Sequence, residues 1–178
     1  MHMTAKNHRQ LGFTLIELII AIAIVGFFSS FMVVNFRANE KVRTFKNQAM
    51  LILDGVKKVQ TMALSGTRFN GQLPQAYGFT IDACQPGNCR FNLVADPGGE
   101  AEVINLETVN LDERAGIDSG AVEIFFFPPR AEASIKINGD SEDAVEIKLI
   151  NVDENIEPLC VKVNRISGRM DIGSCVTL

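Results

Sequence analysis

The chain has 178 residues, enough for one domain of ordinary size together with an anchor or tail. It carries 17 Lys and Arg against 21 Asp and Glu, a net charge of −4, which disfavours a generally basic nucleic-acid-binding protein. Its only histidines, His2 and His8, lie near the N-terminus. If that stretch is removed, Ser-His-Asp catalysis, Cys-His catalysis and histidine metal sites are excluded. We therefore expect no enzyme activity, no catalytic residue, no metal ligand and no cofactor.

Charge is divided unevenly along the chain. Residues 66–178 carry nine basic and eighteen acidic side chains, a net charge of −9, whereas residues 1–65 are net basic. An acidic globular part repels a free phosphate backbone. Nucleic acid is therefore not expected as a partner.

A long apolar segment lies near the N-terminus. Residues 13–34 read FTLIELIIAIAIVGFFSSFMVV and contain one charge, Glu17. As a helix the segment is roughly 33 Å long, enough to cross a bilayer, and it is too long for the apolar part of a cleaved secretory signal. A carboxylate inside a membrane helix is costly, so Glu17 is a candidate functional residue. The alternative is a glutamate that only snorkels towards the headgroups.

The residues around Glu17 form a motif. The sequence Gly12-Phe13-Thr14-Leu15-Ile16-Glu17 follows a short polar leader that contains Lys6 and Arg9. It resembles the class III signal of type IV pilins and type II secretion pseudopilins. The resemblance implies that a prepilin peptidase cuts between Gly12 and Phe13 and methylates the new N-terminus at Phe13. It also implies three partners: other pilin or pseudopilin subunits, the prepilin peptidase and an inner-membrane assembly platform.

Cleavage at this position would give Glu17 a physical role. The new amine at Phe13 would lie in an apolar medium, with the carboxylate one helical turn away. When apolar helices of neighbouring subunits pack side by side, the carboxylate of one subunit can neutralise the amine of the next. Glu17 is therefore predicted to fix the register of assembly.

The helix is predicted to continue through residues 35–65. Apolar residues recur there at spacings of three and four: Val42, Phe45, Ala49, Ile52, Val56, Val59 and Ala63. This stripe predicts packing against the protein's own sheet, with a two-stranded coiled coil as the alternative. Ser65-Gly66 predicts the end of the helix. Many major pilins have a proline where this chain has Val34, which favours a minor pilin or minor pseudopilin.

The sequence pattern of residues 66–178 predicts a β-rich domain. Apolar residues alternate at Tyr77, Phe79 and Ile81, and short apolar runs follow at 91–95, 103–109, 122–127, 134–137, 145–150 and 159–163. Turn signals separate these runs and no helix lies between them, which indicates antiparallel sheets. The last hairpin, residues 161–172, resembles that of GspH/FimT-type minor pseudopilins. The predicted fold class is α+β and pilin-like, with one long N-terminal helix packed on antiparallel sheet.

The four cysteines lie in the predicted β domain. Cys84 and Cys89 bracket a Pro-Gly turn, where a local disulfide would staple the loop. A two-residue turn at Ser167-Gly168 would place Cys160 opposite Cys175, within disulfide reach. The alternative is a four-cysteine zinc site, although the spacings fit no usual zinc ribbon. Disulfides require an oxidising compartment, so the domain is predicted to be exported.

The predicted organisation has four parts: a leader at 1–12, a transmembrane and assembly helix at 13–34, its amphipathic continuation at 35–65 and the exported domain at 66–178. The chain is predicted to cross the inner membrane once, with its C-terminal domain in the periplasm or outside the cell, and to join a filament. Four basic residues soon after the apolar run oppose this orientation under the positive-inside rule: Arg37, Lys41, Arg43 and Lys46. The cysteines and the cleavage motif favour it.

The predicted function is that of a structural subunit, a minor pilin or minor pseudopilin, of a type IV pilus-like or type II secretion filament. Two alternatives stay open: a membrane-anchored exported binding protein that does not polymerise, and an anchored hydrolase. The acidic pairs Glu142-Asp143 and Asp153-Glu154 invite a calcium site, but they lack EF-hand spacing and favour a solvated surface.

Overall fold

The computed structural model describes residues 13–69, 71–99, 101–153 and 155–175, and for residues 30–39 it describes the backbone alone. The predicted leader at 1–12, with Gly12, lies outside the described residues, as does the side chain of Val34. The chain divides into two compact units between Lys41 and Val42, within the segment predicted to be amphipathic.

Helix α1 (Leu15–Ser65) begins in the first unit and ends in the second. Its C-terminal end is a Schellman motif, in which Gly66 adopts a φ of 59°. The Gly66 N–H donates to the Ala63 carbonyl at 3.3 Å, and the Thr67 N–H donates to the Met62 carbonyl at 3.2 Å. The end predicted at Ser65-Gly66 is therefore correct, because glycine supplies the left-handed residue that this motif needs.

The apolar stripe of α1 forms part of the core of the second unit. Six of its residues are at most 2% exposed: Phe45, Ala49, Ile52, Val56, Val59 and Ala63. Val42 departs from the prediction, since it is 39% exposed. Val42 is the first residue of the unit, and packing begins one turn later at Phe45. The stripe therefore packs on the protein's own sheets, as predicted.

Antiparallel strands follow α1 in the described part of the chain: β1 (Ala76–Ile81), β2 (Arg90–Asp96), β3 (Ile104–Asn110), β4 (Ala115–Ile117), β5 (Val122–Phe127), β6 (Glu132–Ile137), β7 (Asp140–Glu142), β8 (Ala144–Asn151), β9 (Leu159–Asn164) and β10 (Met170–Ser174). They form a six-stranded sheet in the order β3-β2-β1-β5-β6-β7 and a four-stranded sheet in the order β10-β9-β8-β4. The α+β, pilin-like fold with a helix packed on antiparallel sheet is therefore confirmed.

Two strands were not predicted, β4 and β7. Each has three residues, which is too short for an alternating pattern to show. β4 is buried throughout, because it pairs with β8 and also forms an isolated bridge to Cys84, in the loop between β1 and β2. At that bridge the Cys84 N–H donates to the Ile117 carbonyl at 3.0 Å, and the Ile117 N–H donates back at 2.9 Å.

The helix and the six-stranded sheet approach closely at Gly55. A Cβ at this position would lie 2.7 Å from the ring of Phe91 and 3.3 Å from the ring of Phe79. The two rings pack against each other with their centroids 5.0 Å apart. Glycine at this helix position therefore makes room for the two aromatic rings beneath it.

The register of the β9–β10 hairpin differs from the prediction. Cys160 lies opposite Gly173, and not opposite Cys175. The loop has four residues, 165–168, and is closed by a hydrogen bond of 3.0 Å from the Asn164 N–H to the Arg169 carbonyl. The prediction of a two-residue turn at Ser167-Gly168 is therefore wrong.

Candidate assembly site at the start of helix α1

The first turn of α1 is closed by a reciprocal pair of side chains. The Glu17 N–H donates to the Thr14 hydroxyl oxygen at 3.3 Å. In return, one Glu17 carboxylate oxygen accepts from the Thr14 N–H at 3.5 Å and from the Thr14 hydroxyl at 3.4 Å. This is a capping box, with Thr14 as the N-cap and Glu17 three residues later. The helix therefore begins at Leu15, two residues after the predicted start at Phe13.

The geometry places the Glu17 carboxylate beside Thr14 in the first turn of the helix. Its negative charge lies in the first turn, where it interacts favourably with the positive end of the helix dipole. A carboxylate has about four acceptor sites, so bonding to Thr14 leaves capacity for a further donor such as an ammonium group. An amine created at Phe13 would directly precede the capping residue in the chain. The site can thus hold a charge near the position where cleavage would create the opposite charge.

The described side chains around Glu17 in the first unit are mostly apolar and exposed. The large apolar residues of this segment are between 51% and 86% exposed: Phe13, Leu15, Ile16, Leu18, Ile19, Ile20, Ile22, Ile24, Val25, Phe27 and Phe28. They point to all sides of the helix, since they occupy nearly consecutive positions. An apolar helix of this kind requires an apolar surrounding, either lipid or other helices.

Within the residues that the structure describes, no helix is long and apolar enough to span a membrane.

The N-terminal segment matches a known protein family. Residues 7–33 match the family model of the prokaryotic N-terminal methylation motif, the class III signal. This motif is consistent with a type IV pilin-like prepilin. The match covers Phe13, Thr14 and Glu17 and leaves the β domain outside it. No curated protein and no solved structure matches the chain.

The motif has direct consequences for a prepilin. It implies processing by a prepilin peptidase and pilin-type assembly, and it suggests that the N-terminus is anchored in a membrane. The cleavage position between Gly12 and Phe13 stays a prediction, because Gly12 lies outside the described residues. Phe13 itself is 86% exposed.

The cysteines form two pairs at disulfide distance. Cys84 and Cys89 have their Cα atoms 5.4 Å apart, and Cys160 and Cys175 have theirs 5.0 Å apart. These are the pairs that the sequence suggested. Cys175 directly follows the end of β10 and lies diagonally across from Cys160, so the pair forms despite the different hairpin register. No free cysteine occurs among the described residues.

One residue of each acidic pair that invited a calcium site has a local partner, and Glu154 lies outside the described residues. Asp143 pairs with Arg165. The Asp153 carboxylate accepts from the backbone and side-chain amides of Asn155, at 3.3 Å and 3.1 Å. Across the described residues, no three or more His, Cys, Asp or Glu side chains gather as a metal site would require.

The capping box is a site feature that the sequence reasoning missed. Its signal was present, since Thr14-Leu15-Ile16-Glu17 fits the T-x-x-E pattern of a capping box. The same four residues also form part of the processing motif. The structure shows that Glu17 has a local partner in its own chain in addition to any partner in another subunit.

Proposed function

We propose that this chain is a structural subunit, a minor pilin or minor pseudopilin, of a type IV pilus-like or type II secretion filament. A prepilin peptidase removes residues 1–12 and methylates Phe13. The apolar helix holds the chain in the inner membrane, with the β domain exported, until the subunit is moved into the filament. The observation that carries this proposal is the methylation motif at residues 7–33.

Two further observations support the proposal. The first is the exposed apolar surface of α1 in the first unit, which other subunits would cover in a filament. The second is that the cysteines form two pairs at disulfide distance, Cys84 with Cys89 and Cys160 with Cys175. Disulfides suit an oxidising compartment outside the cytoplasm. Together they favour a chain with an apolar assembly helix and an exported domain.

Glu17 is the residue that we assign to register. In the assembled state its carboxylate neutralises the methylated amine of Phe13 of a neighbouring subunit. A buried amine needs such a counter-charge, because an unpaired charge in an apolar medium costs several kcal/mol. The capping box supports this role, since it places the carboxylate in the first turn, beside the residue that would carry the amine.

The test is production of the full chain in cells that contain a prepilin peptidase and a filament assembly system. We expect the chain to lose 12 residues and to appear in the sheared filament fraction. Gly12→Ala should block both steps, because the peptidase cuts after the glycine. Gly173→Ala is the matched control, since Gly173 lies in the β domain and a Cβ there meets nothing within 4 Å in the described chain.

Each outcome has a distinct meaning. A chain that is cleaved but stays out of filaments would point to the anchored binding protein that does not polymerise. A chain that remains uncleaved would contradict the processing step and with it the proposed function.

A further inference from the structure

The loop between β1 and β2 contains the first cysteine pair and reaches across to the other sheet. It comprises residues 82–89, and most of its side chains are exposed: Asp82, Ala83, Gln85, Gly87 and Asn88. Cys84, Pro86 and Cys89 are partly or fully buried. A segment with so few buried side chains has little packing of its own to fix its position. The contacts of these three residues therefore determine where the loop lies.

Cys84 covers the edge of β4. This strand stands at the end of the order β10-β9-β8-β4, and its pairing with β8 occupies one of its two edges. On the other edge, the backbones of Cys84 and Ile117 exchange hydrogen bonds of 3.0 Å and 2.9 Å. Because β4 is buried throughout, its backbone groups need such partners. The loop thus completes a sheet to which its flanking strands, β1 and β2, do not belong.

Pro86 makes a second contact with the same strand. A Cβ at Gly116 of β4 would lie 2.8 Å from Cδ of Pro86 and 2.9 Å from Cγ1 of Ile150. The ring of Pro86 therefore lies directly against the backbone of β4, in space that a glycine leaves open. Cys84 and Pro86 together seat the loop on the four-stranded sheet.

Cys89 fixes the other end of the loop. It directly precedes β2, is 3% exposed and belongs to the hydrophobic core. Its carbonyl accepts from the Leu111 N–H at 2.9 Å. The Cα atoms of Cys84 and Cys89 lie 5.4 Å apart, so a disulfide between them ties the seated part of the loop to its fixed end. This bond restricts the positions that Cys84 can take relative to β4.

We propose that the Cys84–Cys89 pair is a redox-sensitive clamp between the two sheets. The oxidised pair seats the loop on β4. The reduced pair releases the loop and opens that edge of β4, while the rest of the core stays packed. The clamp acts within the second unit and does not depend on the proposed filament role.

The redox step is a thiol–disulfide exchange. A dithiol reductant attacks the sulfur of Cys84, the partly exposed partner, and the thiolate of the buried Cys89 leaves. The second thiol of the reductant then displaces Cys84, which gives two protein thiols and a disulfide on the reductant. Two electrons and two protons pass to the protein in this direction. A disulfide oxidant such as oxidised glutathione reverses the step, so a reducing compartment opens the clamp and an oxidising one closes it.

The test is hydrogen–deuterium exchange of the full chain in detergent micelles. In Cys160→Ser/Cys175→Ser, Cys84 and Cys89 are the remaining cysteines. Reduction of this variant with dithiothreitol should speed exchange in the peptide that contains Ile117 by about tenfold to hundredfold, the range expected for opening a small disulfide-closed loop. Exchange in β5, which lies away from the loop, should stay unchanged. Reoxidation with oxidised glutathione should restore the slow rate at Ile117.

The same measurement on Cys84→Ser/Cys89→Ser keeps the other cysteine pair intact. This variant should show the fast rate at Ile117 without any reductant. A slow rate at Ile117 in this variant, or in the reduced chain, would overturn the proposal. A rise of equal size in β5 would overturn it as well, because the disulfide would then hold the whole unit together and not one edge of β4.

A further variant separates the seating of the loop from the disulfide. Gly116→Ala keeps all four cysteines but places a methyl group where the ring of Pro86 lies. Alkylation should detect no free thiol in this variant, and yet exchange at Ile117 should be fast. Gly173→Ala is the matched control in the same sheet, since a Cβ there meets nothing within 4 Å, and it should exchange like the wild type. Slow exchange in Gly116→Ala would contradict the seating of Pro86 on β4 and with it the clamp.

Discussion

Three substitutions at the start of α1 separate the two roles of Glu17. Glu17→Val removes both the capping interaction and the charge. Glu17→Gln removes the charge but keeps a side chain that suits a capping box. Thr14→Ala removes the cap hydroxyl and leaves the carboxylate in place. If neutralisation of a neighbouring amine matters, the two Glu17 variants should behave alike and Thr14→Ala should resemble the wild type.

The expected magnitudes differ enough to be measured. An amine left buried without its counter-charge costs about 3–5 kcal/mol. At about 1.4 kcal/mol for each factor of ten, incorporation of either Glu17 variant should fall at least about 100-fold. Loss of the N-cap costs about 1 kcal/mol, which frays the first turn but removes no charge. Thr14→Ala should therefore lower incorporation by about fivefold at most.

The assay is quantitative recovery of each variant in sheared filaments, normalised to the amount of cleaved chain in the membrane fraction. Cleavage is followed separately, so that a processing defect is not mistaken for an assembly defect. Glu17→Val should remain membrane-bound, since loss of a charge from an apolar helix favours insertion. Wild-type recovery of Glu17→Gln would refute the pairing mechanism. A loss for Thr14→Ala as large as that for Glu17→Val would show that the capping box is the essential feature.

Three further predictions concern the second compact unit. Replacing Cys160 and Cys175 together by alanine should lower the free energy of unfolding by about 3 kcal/mol in urea titrations, as expected for a closed loop of this length, and an unchanged midpoint would contradict a disulfide there. Gly55→Ala should cost about 1–3 kcal/mol, because the new methyl group overlaps the ring of Phe91. Burial raises the pKa of Tyr77 above its usual value of 10.0. The Tyr77 hydroxyl therefore ionises at a lower pH in the unfolded chain than in the folded one. Stability should fall as the pH rises above about 10, and Tyr77→Phe should remove part of that fall.

The helix could be predicted because its signals are local. The spacing from Phe45 to Ala63 repeats at three and four residues, and this periodicity requires one buried face whatever lies opposite. Gly66 marks the helix end for an equally local reason. Strand β8 shows its buried face through a pattern of the same kind, since Val145, Ile147 and Leu149 are buried in alternation.

Other features depend on contacts that no local pattern reveals. The four-residue loop after β9 is stabilised by the side chain of Asn164, which accepts two hydrogen bonds from Ser167. A loop of this length gives the β9–β10 hairpin a different register from the predicted one. Gly55 is required because two aromatic rings from different strands lie beneath it. At the assembly site the processing motif is visible in the sequence. The hydrogen bonds between Thr14 and Glu17 depend on the side-chain geometry of the first helical turn.

The central claim is that the chain is processed as a prepilin and then built into a filament. The most direct measurement is mass spectrometry of the N-terminal peptide of the chain recovered from sheared filaments. We predict a peptide that begins at Phe13 and carries one methyl group on its α-amine. A filament-associated chain that begins at Met1, or at any residue other than Phe13, would contradict the account.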